Sequence, residues 1–425
     1  MDWGATVLGR KCLAGLWISG LCLLSFSARA DVWSTAYYAG WMQSSIPASN
    51  VDFMAVSHVI HFALVPNSDG SLNSTANGIT TANSADVISR AHGAGRKVLI
   101  CVGGADSQTG FQGATSAAHR GTFITNLVNF MTDRGYDGVD VDWEPFPSSD
   151  IASYTNLVNG LRTALNGLPQ PKLLTAAVAA YPVYDDPAPT AVYSMFATLQ
   201  GQFDQINVMT YDLSGAYAGW VTWFNAPIYN GGYVFPSTSR LVPSTDEAVT
   251  NFLTNGVAAG KLGIGIAFYG YVWSGGAGTS TGGAALPRQT WTTAPTTTTP
   301  TYDTIMSTYY QTNRYHWDTD AQAAYLSIDN SGSANDKFIS YDDEHACQAK
   351  ISYARNRGLG GVMIWELGSG YRAGQPVGQR DPLLQAVKQA LATPQITAIG
   401  LSGQDIRLEF TSLPLASYGS NGPAM

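Results

Sequence analysis

Short apolar runs alternate with stretches of helical period along most of this chain. Eight runs read as strands: Ala36–Trp41, His58–Val65, Lys97–Gly104, Tyr136–Glu144, Leu173–Tyr181, Gln205–Leu213, Leu262–Trp273 and Gly360–Leu367. Between them the apolar spacing changes to three and four, the mark of a helix with one buried face. In Gly121–Arg134 the stripe is Phe123, Ile124, Leu127, Val128 and Met131, and Gly135 is placed to end it. Asp150–Leu168 repeats the pattern with Ile151, Tyr154, Leu157, Val158, Leu161 and Leu165. A third helix opens at Asp342–Asp343 and closes at Gly358. Strand and helix in alternation predict an α/β fold with a parallel sheet, and eight such units suit a (β/α)8 TIM barrel. A doubly wound open sheet is the competing architecture.

The regular pattern breaks twice. Between the seventh and eighth strands, about 274–340, the chain is first Gly- and Thr-rich (Gly275–Gly283, Thr292–Thr299), which reads as exposed loop. It is then rich in Tyr and Trp from Tyr302 to Ile328, which predicts a small α+β insertion packed on the barrel rim. The catalytic barrel is expected over 31–393. After it, Ile396–Leu401 and Asp405–Thr411 alternate like strands, so 394–425 reads as a β-rich appendage or truncated tail.

The first thirty residues have a different character. Arg10 and Lys11 precede an apolar run from Cys12 to Phe26, and Ala28-Arg29-Ala30 follows as a small-x-small cleavage site. The run is short for a membrane span of about twenty residues. A signal peptide over 1–30 is expected, hence a secreted, extracellular product with no membrane contact after cleavage. Without that leader the chain keeps 19 basic and 29 acidic side chains, a formal charge of −10 with no basic tract. Nucleic acid is thereby disfavoured as a partner, because phosphate binding needs clustered Lys and Arg. Charged residues are only 12% of the chain, which suits a neutral polar ligand. Cys101 and Cys347 read as two buried thiols, and the six histidines show no metal-ligand spacing, so no metal or cofactor is expected. The chain is expected to act as a monomer.

The densest chemistry lies in Asp137-Gly138-Val139-Asp140-Val141-Asp142-Trp143-Glu144. On a strand, alternate side chains share a face, so Asp140, Asp142 and Glu144 point one way and Val139, Val141 and Trp143 the other. Acids about 6.5–7 Å apart in an interior repel one another, a costly arrangement that serves proton chemistry better than stability. Strand ends in a parallel barrel meet at one mouth, which puts Glu144 at the rim and Asp142 and Asp140 progressively deeper. A carboxyl raised by burial and by like charge can hold a proton near neutral pH and act as a general acid. Asp142 is expected to share a proton with Asp140. Asp137, of opposite parity, is assigned to structure.

This segment resembles the DxxDxDxE signature of the family 18 glycoside hydrolases, chiefly chitinases, in every acidic position. The similarity continues in Lys97–Gly104 (KVLICVGG), Val208–Asp212 (VMTYD), Leu262–Gly270 (LGIGIAFYG) and Gly360–Leu367 (GGVMIWEL). The resemblance implies cleavage of β-1,4 links between N-acetylglucosamine units with retention, the substrate's own acetamido oxygen acting as nucleophile. It implies chitin and chitooligosaccharides as partners, Glu144 as acid and base, Asp142 as holder of the acetamide and Asp140 as a charge relay beneath. Tyr211 matches the acetamide's hydrogen-bond donor, Asp212 its polar neighbour and Trp365 the indole floor, with Met209 in the same pocket. Tyr37 is expected to line the pocket bottom, and Trp220 and Trp223 are candidates to stack sugars on the leaving-group side, or to pack the rim. Cys101 stands where the family usually has Ser, and Ala267 and Tyr271 replace a usual Pro and Arg. An endo-β-N-acetylglucosaminidase of N-glycans, peptidoglycan cleavage and a catalytically silent chitin-binding lectin remain alternatives. The presence of Glu144 speaks against the lectin.

Overall fold

The computed structural model describes residues 32–181, 186–330 and 333–392; the expected leader and the expected β-rich tail lie outside the described residues. Eight parallel strands close on themselves: β1 (Trp33–Ala39), β2 (His58–Pro66), β3 (Lys97–Gly104), β4 (Gly138–Trp143), β5 (Leu173–Ala179), β6 (Gln205–Met209), β7 (Leu262–Ala267) and β13 (Gly361–Trp365). Each pairs with the next, and β1 pairs with both β2 and β13 to close the ring. The chain therefore forms the (β/α)8 barrel that its periodicity predicts.

The outer layer follows from the helical stripes. Helices α1 (Thr81–Gly93), α2 (Gln108–Ala114), α3 (Arg120–Arg134), α4 (Ile151–Asn166), α5 (Pro189–Leu199), α6 (Thr245–Thr254), α7 (Glu344–Asn356) and α8 (Pro382–Ala392) surround the strands. In α3 the buried residues are Phe123, Leu127 and Met131, and Gly135 ends the helix at φ 83°. Asp343 caps α7, its side chain accepting from Ala346 N at 2.8 Å. Between this layer and β4 lie Val139, Val141 and Trp143, in one apolar cluster with Leu127, Leu157 and Val158.

A second sheet rises between β7 and β13. Its strands are β8 (Gly270–Ser274), β9 (Thr296–Thr298), β10 (Tyr315–Asp318), β11 (Ala323–Ile328) and β12 (Lys337–Tyr341), all antiparallel in the order β9-β8-β12-β11-β10. Two expectations change here. The single seventh strand is two, because Phe268 N leaves the β7 line to donate to Trp365 O at 2.8 Å and Tyr269 bridges Thr301. The threonine run is partly paired rather than loop throughout, since Thr296–Thr298 lie antiparallel to Ser274–Val272. Threonine's β-branch favours that extended backbone once a strand edge is offered. Arg288 ties this sheet to the long 213–243 segment: its guanidinium forks onto Asp318 (2.5 and 2.9 Å) and sits 3.9 Å over the Tyr233 ring.

One buried ion pair anchors the junction of the two sheets. Lys350 of α7 and Asp342 are fully or nearly fully buried; Lys350 Nζ donates to Asp342 Oδ2 and, at 3.1 Å, to Gly265 O. Asp342 Oδ2 also accepts from Ala267 N at 2.9 Å, at the last residue of β7. Burial pushes the Asp342 carboxyl up, and Lys350 opposes that push. Lys350→Met is expected to cost about 3–5 kcal/mol by leaving a buried carboxylate unpaired. The double variant Asp342→Asn with Lys350→Met should cost clearly less. Urea unfolding midpoints of the three proteins check this, and equal losses in both variants would contradict it.

Candidate active site

Strand β4 delivers its acids as parity requires. Asp140 and Asp142 are buried on the inner side, paired across the ladder with Cys101 and Thr175 and with Gly103 and Ala177 respectively. Glu144 follows the strand by one residue and stands half-buried at the mouth. Asp137, at the other end, accepts from Val98 N, His92 and Lys97, a structural set.

The three acids are not equivalent. Asp140 accepts from Tyr37 Oη (2.9 Å) on one oxygen and from Thr175 Oγ1 (2.5 Å) on the other. The Cys101 thiol is a third donor. Burial raises Asp140, and these donors offset part of the rise. Asp142 has no such set: its Oδ1 is buried without a partner, and its side-chain hydrogen bond is with Glu144. Burial first, then the Glu144 and Asp140 charges, push Asp142 well above the ordinary carboxylate range. Glu144 is also raised, by burial and by the charges of Asp212 and Asp106, while the hydrogen bond with Asp142 pulls it down. Asp140's oxygens are already served by Tyr37 and Thr175, whereas Asp142 is raised by the charges of both Glu144 and Asp140.

These groups face a cleft of about 620 Å³. Tyr211, Asp212, Met209 and Trp365 line it together with Asp142 and Glu144. Trp365 ends β13 and rests edge-on against Phe62, ring centres 4.7 Å apart. Tyr211 follows β6; its hydroxyl is 3.5 Å from Met363 Sδ, and Gly265 makes room for its ring, since a Cβ there would meet Tyr211 at 2.6 Å. Asp212 has φ 54°, a conformation held by Asn225 Oδ1 accepting its N–H at 3.0 Å and by Tyr269 Oη donating to Oδ1 at 2.8 Å. Burial raises Asp212, and the Tyr269 hydroxyl opposes this.

Tyr37 lies deeper than expected, and of the two readings left open for Trp220 and Trp223 the structure shows packing. Tyr37 is fully buried, under the cleft rather than in its lining, with its hydroxyl spent on Asp140. Trp223 is also fully buried, donating to Pro243 O at 2.8 Å, so no sugar can stack on it. Trp220 packs on Tyr217 and Phe235 (5.0 and 4.7 Å) and is not among the residues lining the cleft. Conversely, Trp41, Asp106 and Tyr181 line the cleft without having been singled out. They lie just beyond β1, β3 and β5, and the rule that strand C-termini converge on one mouth was enough to find them. Ala267 and Tyr271 do not line the cleft. Among the described residues, Cys101 and Cys347 are free and buried, no acidic, His or Cys group is arranged to hold a metal, and no helix is long and apolar enough to cross a membrane.

Comparison with known proteins agrees with this geometry. Residues 34–370 match the profile of the Glycosyl hydrolases family 18. Chitinase A1 of Niallia circulans is 33% identical over 301 residues, covering 64% of this chain and 40% of that protein. A probable endochitinase of Caenorhabditis elegans is 30% identical over 319 residues, 69% of this chain and 48% of its own length. The chain thus spans about half the length of these relatives. Chitotriosidase-1 of Mus musculus is 30% identical over 318 residues, covering 71% of this chain and 64% of that protein. Among solved structures, the Ostrinia furnacalis Group IV chitinase in complex with allosamidin superposes with TM-score 0.71 at 22% identity, over 85% of this chain and 99% of that one. At that identity the likeness concerns the fold.

The raised carboxyls have a cost in stability. A buried acid whose folded value lies above its unfolded one stabilises the fold fully below the unfolded value, and that contribution is lost as pH rises through the folded value. Asp142→Asn removes the titration. Its thermal midpoint should match the parent near pH 4 and rise increasingly above it toward pH 7. Thermal unfolding across that range checks it, and a constant difference would contradict the assignment.

Proposed function

The chain belongs to glycosyl hydrolase family 18, and on that premise we propose that it is a chitinase, hydrolysing β-1,4 links between N-acetylglucosamine units with retention of configuration. The observation that carries the reading is the placing of Asp142 and Glu144 together in the cleft lining, with Asp142 keeping a buried, unpartnered oxygen. An acetamido N–H satisfies such an oxygen, where a plain hexose has no donor of that kind at carbon 2.

In this reading Glu144 gives its proton to the glycosidic oxygen as the bond to C1 breaks. The acetamido oxygen forms the new bond to C1, and Asp142 accepts from the acetamido N–H and stabilises the oxazolinium-like cation. Tyr211 donates to the acetamido oxygen, and Asp212 orients the neighbouring hydroxyls. Asp140 relays charge from beneath through its contacts with Tyr37 and Thr175. Trp365 offers an apolar floor to a flat sugar face, with Met209 beside it. Water then attacks C1, with Glu144 accepting its proton, so two displacements return the original anomer. Chitin is favoured over N-glycans by the chitinase names of the relatives.

Glu144→Gln is expected to lower kcat on chitohexaose by about 10²–10⁴-fold while oligosaccharide binding persists, because shape and stacking are unchanged. Early products should carry the β configuration. Inverted products, or activity confined to high-mannose glycopeptides, would overturn the mechanism or the substrate respectively. Export belongs to the same proposal, from the apolar run Cys12–Phe26 and the site Ala28-Arg29-Ala30. N-terminal sequencing of protein recovered from the medium should begin at Asp31, and retention of residues 1–30 would contradict cleavage.

A further inference from the structure

The strand ladder stops short of Glu144. The last pairs that β4 makes with its neighbours are Trp143 with Gly104 and Asp142 with Ala177, so the Glu144 peptide lies beyond the sheet's own hydrogen bonds. Something else must hold it, and the loop after β3 supplies the contact.

Ser107 stands at the N-terminal boundary of α2, where a serine hydroxyl ordinarily accepts from an amide in the first turn of its own helix. Here it makes no cap. Its Oγ accepts from Glu144 N at 3.2 Å, and its own proton is directed at Asp142 O (3.3 Å) and Glu144 O (3.4 Å). The next amide, Gln108 N, donates to Glu144 O at 3.0 Å. On the far side, Gln108 and Gln112 both donate to buried Asp150, at 3.0 Å each. Close approach of the two chains is built in at Gly103, where a Cβ would come within 1.9 Å of Asp142 O. The helix gives up its own cap, and the freed hydroxyl serves the residues flanking Trp143.

From this arrangement we infer that Ser107 is a positioning residue for Glu144, its hydroxyl clamping the backbone from Asp142 to Glu144 so that the Glu144 carboxyl stays against Asp142 and over the cleft. The inference rests on the reading of Glu144 as the acid, and it adds the means by which that acid is aimed. Two carboxyls held in contact titrate as a pair whose apparent values are spread apart by their interaction. Loosening the clamp separates them and brings the upper value down.

Ser107→Ala is therefore expected to reduce kcat on chitohexaose by about 10- to 100-fold, the scale of a small misplacement of a reacting group, with KM little changed. The alkaline limb of the kcat/KM profile should move to lower pH. Ser107→Thr, which keeps the hydroxyl, should recover most of both. A substrate-free reading comes from the thermal midpoint followed between pH 4 and pH 8. Ser107→Ala should change its slope with pH, not merely its level, because the carboxyl pair is then coupled differently. Parent-like kcat and pH limb with only a uniformly lower midpoint would overturn the inference and leave Ser107 a purely structural contact. Should the parent itself fail to cleave chitooligosaccharides, the proposed function falls. The slope comparison still decides Ser107: a changed slope supports the clamp, and an unchanged slope overturns it.

Discussion

Two carboxyl groups in contact inside a poorly solvated cleft cannot both ionise, and that constraint governs the site. Asp142 and Glu144 are both raised, chiefly by burial, and each feels the other. Asp140, the next acid down the strand, already accepts from Tyr37, Thr175 and Cys101. Three acids on one strand thus divide into one supplied with donors at the base and a raised pair above it, and only the pair lines the cleft.

The barrel's composition serves this division. Small residues at inward positions leave space for a few large polar ones, as Gly265 does for Tyr211. The Thr175 hydroxyl and the Cys101 thiol supply donors at ladder positions facing Asp140, so a buried charge is tolerated without a cation. A thiol is a weaker donor than a hydroxyl. Cys101 therefore holds Asp140 less firmly than a serine at the same rung.

Much of this was legible in the chain. The parity of residues 139–144 and the stripes of α3 and α4 state which face each residue occupies, because strand and helix geometry leave no alternative. Tyr211, Asp212 and Trp365 were found through resemblance and lie in the cleft lining. What was not legible depends on non-local contacts. Trp220 and Trp223 are three residues apart in an irregular segment, where no period says which ring is buried, and the answer comes from Arg288 and Pro243. The break after Ala267 is set by Trp365 O and Asp342, each far along the chain. Tyr37, expected to line the pocket bottom, lies one layer below it, because strand parity gives direction but not depth. Spacing along a strand likewise cannot show that Asp140 is supplied with donors by Tyr37 and Thr175.

The second sheet leaves the barrel after β7 at Gly270 and returns at Tyr341, the two opposite each other in its innermost rung. Entry and exit are thus neighbours, pinned by Asp342 and Lys350 just outside the rung. A graft whose entry and exit are neighbours can vary at its exposed outer turns while the ring of strands below keeps its register. The added sheet and the cleft at the strand ends can accordingly be altered by editing different stretches of chain.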